Sequence, residues 1–320
     1  MLSNILVTGG SGFIGQELCR ALANVGYTPV ITSRSAQTTS YASECRLIED
    51  ITNTDALCAA MKDIEVVIHL AARAHVMSDQ SSDPLSDYRR VNVDGTVAIA
   101  NAARQSGIKR LIFLSSIKVN GERTSEKPYT AHDTPAPEDP YGISKSEAES
   151  RLIEVSKDSE LETVIVRTPL VYGAGVRANF LSLMSIADSG LPLPFGAINK
   201  NRRSLIYIEN LVDLLIKTVS HPSANGQTLL VCDGEDLSTT SLVENLRTSL
   251  GRKRRLVPIP PAIIRASLSS IGKSGMADRL LGSLVIDDTA TRELLKWQPP
   301  FTIAEGLRRT ADWYRASNAQ

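Results

Sequence analysis

The chain has 320 residues with 35 basic and 35 acidic side chains, so no net field would draw it to nucleic acid or an anionic membrane, and any anionic ligand must be held by local charges. Its four cysteines, Cys19, Cys45, Cys58 and Cys232, show no CxxC spacing and no histidines at ligand spacing. That pattern indicates neither a metal site nor a disulfide framework and points to a reducing, cytoplasmic setting. No apolar run approaches the ~18 residues of a membrane span, and a glycine-rich motif begins within the first ten residues, leaving no room for a signal peptide.

In chain order, β-branched runs alternate with helical stretches. "NILVT" is followed by "QELCRALANV", then "TPVIT", "CRLIE", "EVVIHLAA", "RLIFLSS" and "ETVIVR". Such alternation predicts an α/β fold with a doubly wound parallel Rossmann sheet. The strands are apolar throughout, as expected where helices cover both faces. Helices are expected over Asp83 to Ser106 and Tyr141 to Lys157. The division predicted is 1–168 for a dinucleotide-binding domain. Residues 169–320, where "LPLPFG" and "VPIPP" punctuate the sequence, would form mainly a smaller substrate domain, with some segments returning to the first. The run "RKRR" at 252–255 reads as a solvated helix end or turn.

"ILVTGGSGFIGQEL" sets Gly9, Gly12 and Gly15 between the first strand and the first helix. Glycines permit a sharp turn and close backbone approach to a pyrophosphate, whose charge the helix N-terminus meets. Phe13 and Ile14 would pack there and contact the cofactor through their backbone. About 20 residues on, where an acid would bind the ribose 2′-hydroxyl, stand Ser33 and Arg34. A serine can hydrogen-bond a 2′-phosphate and an arginine can pair with it, so NADP(H) is expected over NAD(H), unless Arg34 is simply an exposed loop residue. Asp50 and Ile51, after the third strand, would flank the adenine.

"DPYGISKSEAE" holds Tyr141 and Lys145 four residues apart, on one face of a helix. That helix follows "RLIFLSS", whose C-terminal end is where an open α/β sheet binds ligands. A phenol is a poor proton shuttle at neutral pH unless a neighbouring ammonium and the nicotinamide charge lower its pKa. Tyr141 would then exchange a proton with a carbonyl or hydroxyl oxygen, Ser116 would hydrogen-bond the same oxygen, and Lys145 would also hold the nicotinamide ribose. Of Ser115 and Ser116, one is expected to be only a structural cap.

"TGGSGFIG", "LSS" and "YGISK", in this order and spacing, resemble the extended short-chain dehydrogenase/reductase family of NAD(P)-dependent nucleotide-sugar epimerases, dehydratases and reductases. The likeness covers nearly the whole chain. It implies cofactor contacts from Leu70, Ala71 and Ala72 in "HLAA" and from Thr168, with Asn92 steadying the helix behind the tyrosine. It also implies UDP-binding elements at Asn179 in "ANF", Phe195 in "LPFG", Arg203 in "NRRSLIYIENLVD", and Arg279. Two arginines converging on a diphosphate make physical sense in a chain with no net charge, although surface ion pairing is the plainer reading of each. His75 and Lys118 are expected to face the sugar unless they are surface or strand-end residues. A homodimer through the two long helices is implied as well. One departure is Leu170, where UDP-galactose 4-epimerases usually carry an Asn.

After Ser116, dehydratases of this family place an Asp-Glu pair, but this chain has Ile117 and Lys118. It also has no Cys nearby, as the 3,5-epimerase/reductases do. What remains is hydride transfer at one carbon. Ser33 and Arg34 favour an NADPH-dependent 4-keto reductase, and "HLAARAHVM", "LSSIKVNGE" and "PLVYG" resemble the subgroup that reduces UDP-4-keto-6-deoxy-N-acetylglucosamine to UDP-N-acetylquinovosamine for surface polysaccharide. The alternative is a UDP-hexose or UDP-N-acetylhexosamine 4-epimerase with tightly bound NAD. A reductase of other carbonyls would have no reason for paired diphosphate arginines. A non-catalytic cofactor sensor would commonly lack the tyrosine or lysine.

Overall fold

The computed structural model describes residues 3–35, 41–74 and 83–318. Seven parallel strands form one sheet: β1 (Asn4–Thr8), β2 (Thr28–Ser33), β3 (Glu44–Leu47), β4 (Val66–His69), β5 (Arg110–Ser116), β6 (Glu162–Thr168) and, after two short strands, β9 (Gln227–Leu230). Their spatial order is β3-β2-β1-β4-β5-β6-β9, so the order reverses between β1 and β4. A crevice opens outside the strand C-termini at such a reversal, the usual place for a ligand in a doubly wound sheet. The two short strands, β7 (Leu170–Tyr172) and β8 (Leu205–Tyr207), pair with each other in parallel.

The continuous apolar runs are explained by what covers the sheet. Ile5, Val7, Ile31, Ile68, Ile112 and Val166 face one layer, with Leu18 and Leu22 of helix Phe13–Asn24 and Leu211 and Leu215 of helix Ile208–Ser220. Leu6, Val30, Val67, Leu111, Phe113 and Ile165 face the other, with Ile99 and Ala103 of helix Gly95–Gln105 and Leu152 of helix Pro140–Ser156. Alternate residues of each strand therefore enter opposite cores, the period of two that a pleated strand imposes.

Two local features differ from the expected elements. The run expected as one helix over 83–106 is helical at Pro84–Arg89 and Gly95–Gln105, but Arg90–Asp94 forms a π-helical turn between them. One extra residue per turn rotates Asn92 into the interior, where it is 1 % exposed. The second helix starts at Pro140, one residue before Tyr141. Asp139 caps it by accepting the Gly142 N–H at 2.7 Å, and a proline at the first position has no N–H to leave unsatisfied.

Of the residues beyond β7, β9 and helix Ile208–Ser220 return to the main sheet, and others build a smaller cluster whose core contains Leu193, Phe195, Ile198, Val243 and Ile264. The Arg252–Arg255 run is exposed past the end of helix Thr239–Ser249. No helix among the described residues is long and apolar enough to cross a membrane.

Candidate active site

The phosphate loop leaves β1 at Gly9, whose φ of +71° lies in the left-handed region that glycine tolerates. Gly12 donates its N–H to the Gly9 carbonyl at 3.0 Å. It then stands as N-cap of helix Phe13–Asn24, without a side-chain cap and with no acid in the first turn, so the helix N-terminus is open to an anion. A Cβ on Gly15 would lie 2.3 Å from the Gly9 carbonyl and 2.6 Å from Gly10 Cα, and one on Gly9 would lie 2.8 Å from the Ala71 nitrogen. This close backbone packing is the cradle a dinucleotide pyrophosphate requires, so the residues present fit NAD. Leu70 donates its N–H to the Thr8 carbonyl and Ala71 donates to Thr8 Oγ1, fastening the end of β4 beside the loop. Phe13, Ile14 and Ala72 are partly buried at the same edge.

At the end of β2, Ser33 is half-buried and Arg34 exposed, with no carboxylate partner for Arg34 among the described residues. The Asp50 carboxylate accepts from Thr52 and Arg90 (2.9 Å). Ile51 packs where Gly95 leaves room, since a Cβ on Gly95 would sit 2.8 Å from it.

The catalytic candidates meet at the ends of β5 and the capped helix. Ser116 and Ser115 leave the strand on opposite faces and have separate partners. Ser115 donates into the buried Glu149 carboxylate, which Arg167 also grips through Nε (3.0 Å) and Nη2 (2.6 Å); Arg167 Nη1 reaches Asn120. Ser116 instead faces the Tyr141 side chain, near enough to favour its ionised form. Ser115 is thus the structural serine of the pair. Burial, then the Asp139 charge and Tyr88, push the Tyr141 phenol above its ordinary pKa, while Ser116 pulls it down. The Tyr88 ring meets the Tyr141 ring edge-on at 6.1 Å. Lys145 is only 2 % exposed, with Nζ 3.9 Å over the Phe113 ring, and burial lowers its pKa to about 7 against the partial support of Glu149. Thr168 lies buried at the neighbouring end of β6.

A buried polar chain ties this group to the phosphate loop. The Thr96 hydroxyl donates to the Asn92 carbonyl (2.6 Å), so it accepts the His69 Nε2–H at 3.1 Å, and His69 Nδ1 then accepts from Thr8 Oγ1 (2.6 Å). His69 is held neutral: burial, then the Lys145 charge, lowers its pKa to about 3. Asn92 pairs with the Arg73 backbone in both directions and donates to Ser144 Oγ (2.9 Å), and Ser144 donates to the Tyr141 carbonyl (2.8 Å). Nothing local in "HLAA" marks the role of His69, because its hydrogen-bond partners come from two other elements, β1 and helix Gly95–Gln105.

The residues expected around the substrate are placed as follows. His75 lies outside the described residues. Arg203 and Arg279, 76 positions apart, come together: Arg203 Nη1 donates to the Arg279 carbonyl at 2.8 Å. Burial and then the Arg279 charge lower the pKa of the Arg203 guanidinium, with only Glu122 opposing. The Arg279 charge is close enough to act on Arg203, and a diphosphate bound between them would relieve that repulsion. Asn179 is exposed at the start of helix Ala178–Asp188, beyond an Ala178 whose φ of +52° strains a residue with a Cβ. Phe195 is buried in the smaller apolar cluster and offers its carbonyl to Thr240. The Lys118 ammonium is engaged by Glu122 at 2.8 Å and by Asp139.

A nucleotide crevice with a Ser-Tyr-Lys group at its edge defines a dinucleotide-dependent enzyme of oxidoreductase-type chemistry. Residues 5–232 match the model of the NAD dependent epimerase/dehydratase family, and the chain belongs to that family. It is 44 % identical over 321 residues to a UDP-glucose 4-epimerase of Vibrio cholerae, covering 99 % of this chain and 97 % of the other. It is 29 % identical over 81 % of its length to an N-acetyl-alpha-D-glucosaminyl-diphospho-ditrans,octacis-undecaprenol 4-epimerase of Escherichia coli O157:H7, covering 76 % of that protein. Among solved structures, MoeE5 in complex with UDP-glucose and NAD superposes with a TM-score of 0.77 at 25 % identity, over 99 % of this chain and 100 % of that one. A UDP-N-acetylglucosamine 4-epimerase from Bacillus cereus shares the fold, with a TM-score of 0.79 at 22 % identity over 98 % of this chain and 99 % of that one.

Proposed function

We propose that this chain is a UDP-hexose or UDP-N-acetylhexosamine 4-epimerase that works with retained NAD. The observation that carries the reading is the 44 % identity, over nearly the full length of both chains, to a UDP-glucose 4-epimerase. This corrects the order of preference reached from Ser33 and Arg34, which put a UDP-4-keto-6-deoxy-N-acetylhexosamine reductase first. An exposed arginine at the end of β2 can contact a 2′-phosphate, but it can equally lie in solvent beside a 2′-hydroxyl.

NAD would be held by Gly9, Gly12 and Gly15, by the edge formed by Leu70, Ala71 and Ala72, and by Lys145. When bound, it supplies a hydride acceptor and donor at one sugar carbon. Tyr141 takes the proton of the C4 hydroxyl and later returns it to the same oxygen, while Ser116 hydrogen-bonds that oxygen throughout. Arg203 and Arg279 hold the diphosphate, so the sugar can turn over in the site without leaving. Asp139, the carboxylate whose charge reaches the tyrosine, is bound to Lys118 together with Glu122, which supports chemistry without an elimination step. A homodimer through helices Gly95–Gln105 and Pro140–Ser156, and a role in surface polysaccharide assembly, belong to the same reading.

The test is to denature the purified protein, identify the nucleotide released, and assay UDP-glucose and UDP-N-acetylglucosamine for C4 inversion with no cofactor added. Stoichiometric NAD and cofactor-independent turnover are expected. Protein purified without nucleotide, binding NADPH far more tightly than NADH and consuming it with a 4-keto sugar, would restore the reductase.

A further inference from the structure

We propose that Lys118 is a positioning residue for the proton-transfer step: it clamps the turn that carries Ser116 to the N-terminus of the helix that carries Tyr141, and it partly offsets the charge of the Asp139 carboxylate that caps that helix. The inference rests on the reading of Tyr141 as the acid–base group.

The geometry of the clamp is direct. Ser116 ends β5 and caps the short turn Ile117–Val119, accepting the Lys118 N–H at 3.3 Å. From that turn the Lys118 ammonium reaches Asp139 and Glu122. Asp139 uses its two oxygens separately, one accepting the Gly142 N–H and the other facing Lys118. Backbone packing closes the same gap, for a Cβ on Gly142 would lie 2.9 Å from the Lys118 carbonyl and 3.2 Å from its Cβ. Ser116 and Tyr141 belong to different elements, 25 positions apart, and Lys118 is the side chain that bridges them.

Charge gives the clamp a second effect. Asp139 sits two residues before Tyr141, and its carboxylate disfavours a phenolate there. The other groups around the phenol are Ser116 from β5, Tyr88 from helix Pro84–Arg89 with the Arg73 guanidinium 5.4 Å over its ring, and Lys145 one turn along the same helix. Among these, Lys118 is the cation in contact with Asp139. Losing it exposes Tyr141 to an uncompensated anion and leaves Glu122 unpaired as well. A sugar-binding lysine would present a free ammonium to the crevice, whereas this one is already shared between two carboxylates and is about two-thirds covered.

The experiment is the pH profile of kcat, with KM for the UDP-sugar, for wild type, Lys118→Met, Lys118→Arg, Asp139→Asn and the double variant Lys118→Met/Asp139→Asn. Asparagine keeps the helix cap, so Asp139→Asn removes the charge and its ion pair with Lys118 while leaving the helix start in place. Lys118→Met is expected to move the acid-side limb to higher pH by about 0.5–1 unit with KM within about twofold. Lys118→Arg keeps the wild-type profile, Asp139→Asn moves the limb to lower pH, and the double variant returns near wild type. A KM raised more than about tenfold with an unmoved limb makes Lys118 a substrate contact and overturns the proposal, as does a limb that none of the variants moves. If Lys118→Met fails to fold by its melting curve, Lys118→Gln takes its place with the same expected and refuting outcomes. Tyr141→Phe separates the two readings: an active Tyr141→Phe removes the acid–base assignment itself, whereas an inactive one beside unmoved limbs removes only the role of Lys118.

Discussion

Replacing Lys145 with methionine should stabilise the nucleotide-free protein while abolishing its activity. The ammonium is 2 % exposed, it lies over an aromatic face, and its nearest carboxylate, Glu149, is already taken by Arg167. Its pKa falls from 10.5 in the open chain to about 7 in the fold. Between those values the unfolded chain binds the extra proton, so stability rises with pH across this window, and the penalty is fully present below pH 7 and gone above about 10.5. At pH 7 the shift corresponds to about 4 kcal/mol and at pH 9 to about 2 kcal/mol. The Phe113 face returns up to ~2 kcal/mol to the charged form. Methionine conserves the volume, so the expected gain at pH 7 is ~2–4 kcal/mol, shrinking by ~1–2 kcal/mol at pH 9. Urea unfolding of both proteins, stripped of nucleotide, at the two pH values measures this difference of differences. A methionine variant less stable than wild type at pH 7, or a gap that ignores pH, would refute the reasoning.

Two further outcomes follow from the same interior. Arg167→Met leaves the Glu149 carboxylate buried with Ser115 as its remaining partner, and should cost ~3–5 kcal/mol in urea unfolding; adding Glu149→Leu should recover most of it, and a single variant within ~1 kcal/mol of wild type would show the pair to be dispensable. Gly15→Ala places a Cβ 2.3 Å from the Gly9 carbonyl and should weaken NAD binding at least ~tenfold by calorimetric titration, whereas undiminished affinity would mean that the helix can retreat from the loop without disturbing the phosphate site.

What the sequence reveals and conceals follows from how far each signal reaches along the chain. The glycine loop, the Tyr141–Lys145 spacing and the Asp139–Pro140 cap are local patterns, because the backbone geometry that uses them is completed within a few residues. The strand order is nearly as legible, since short apolar runs separated by helical stretches leave few un-knotted arrangements. Arg203 and Arg279 could be matched only through resemblance, yet the fold does bring them together. By contrast, nothing local marks Arg90–Asp94 as a π turn, and Phe195, expected as a UDP-binding element, has its ring buried in the small core.

Lys118 and His69 show the limit most clearly. Each is one polar residue whose meaning depends on partners supplied by other elements: Asp139, 21 positions on, for the lysine, and Thr8 and Thr96 for the histidine. The lysine just after a strand end, two residues from the serine proposed to be catalytic, invites a substrate role when read in sequence. In the fold its charge is spent within the protein, and the histidine stays neutral because it is buried beside the Lys145 charge. The fold thus surrounds Tyr141 with fixed donors and acceptors while leaving Lys145 as the poorly compensated buried cation. That asymmetry is the form expected of a site that gives up stability to keep one charge ready beside a proton-transfer group.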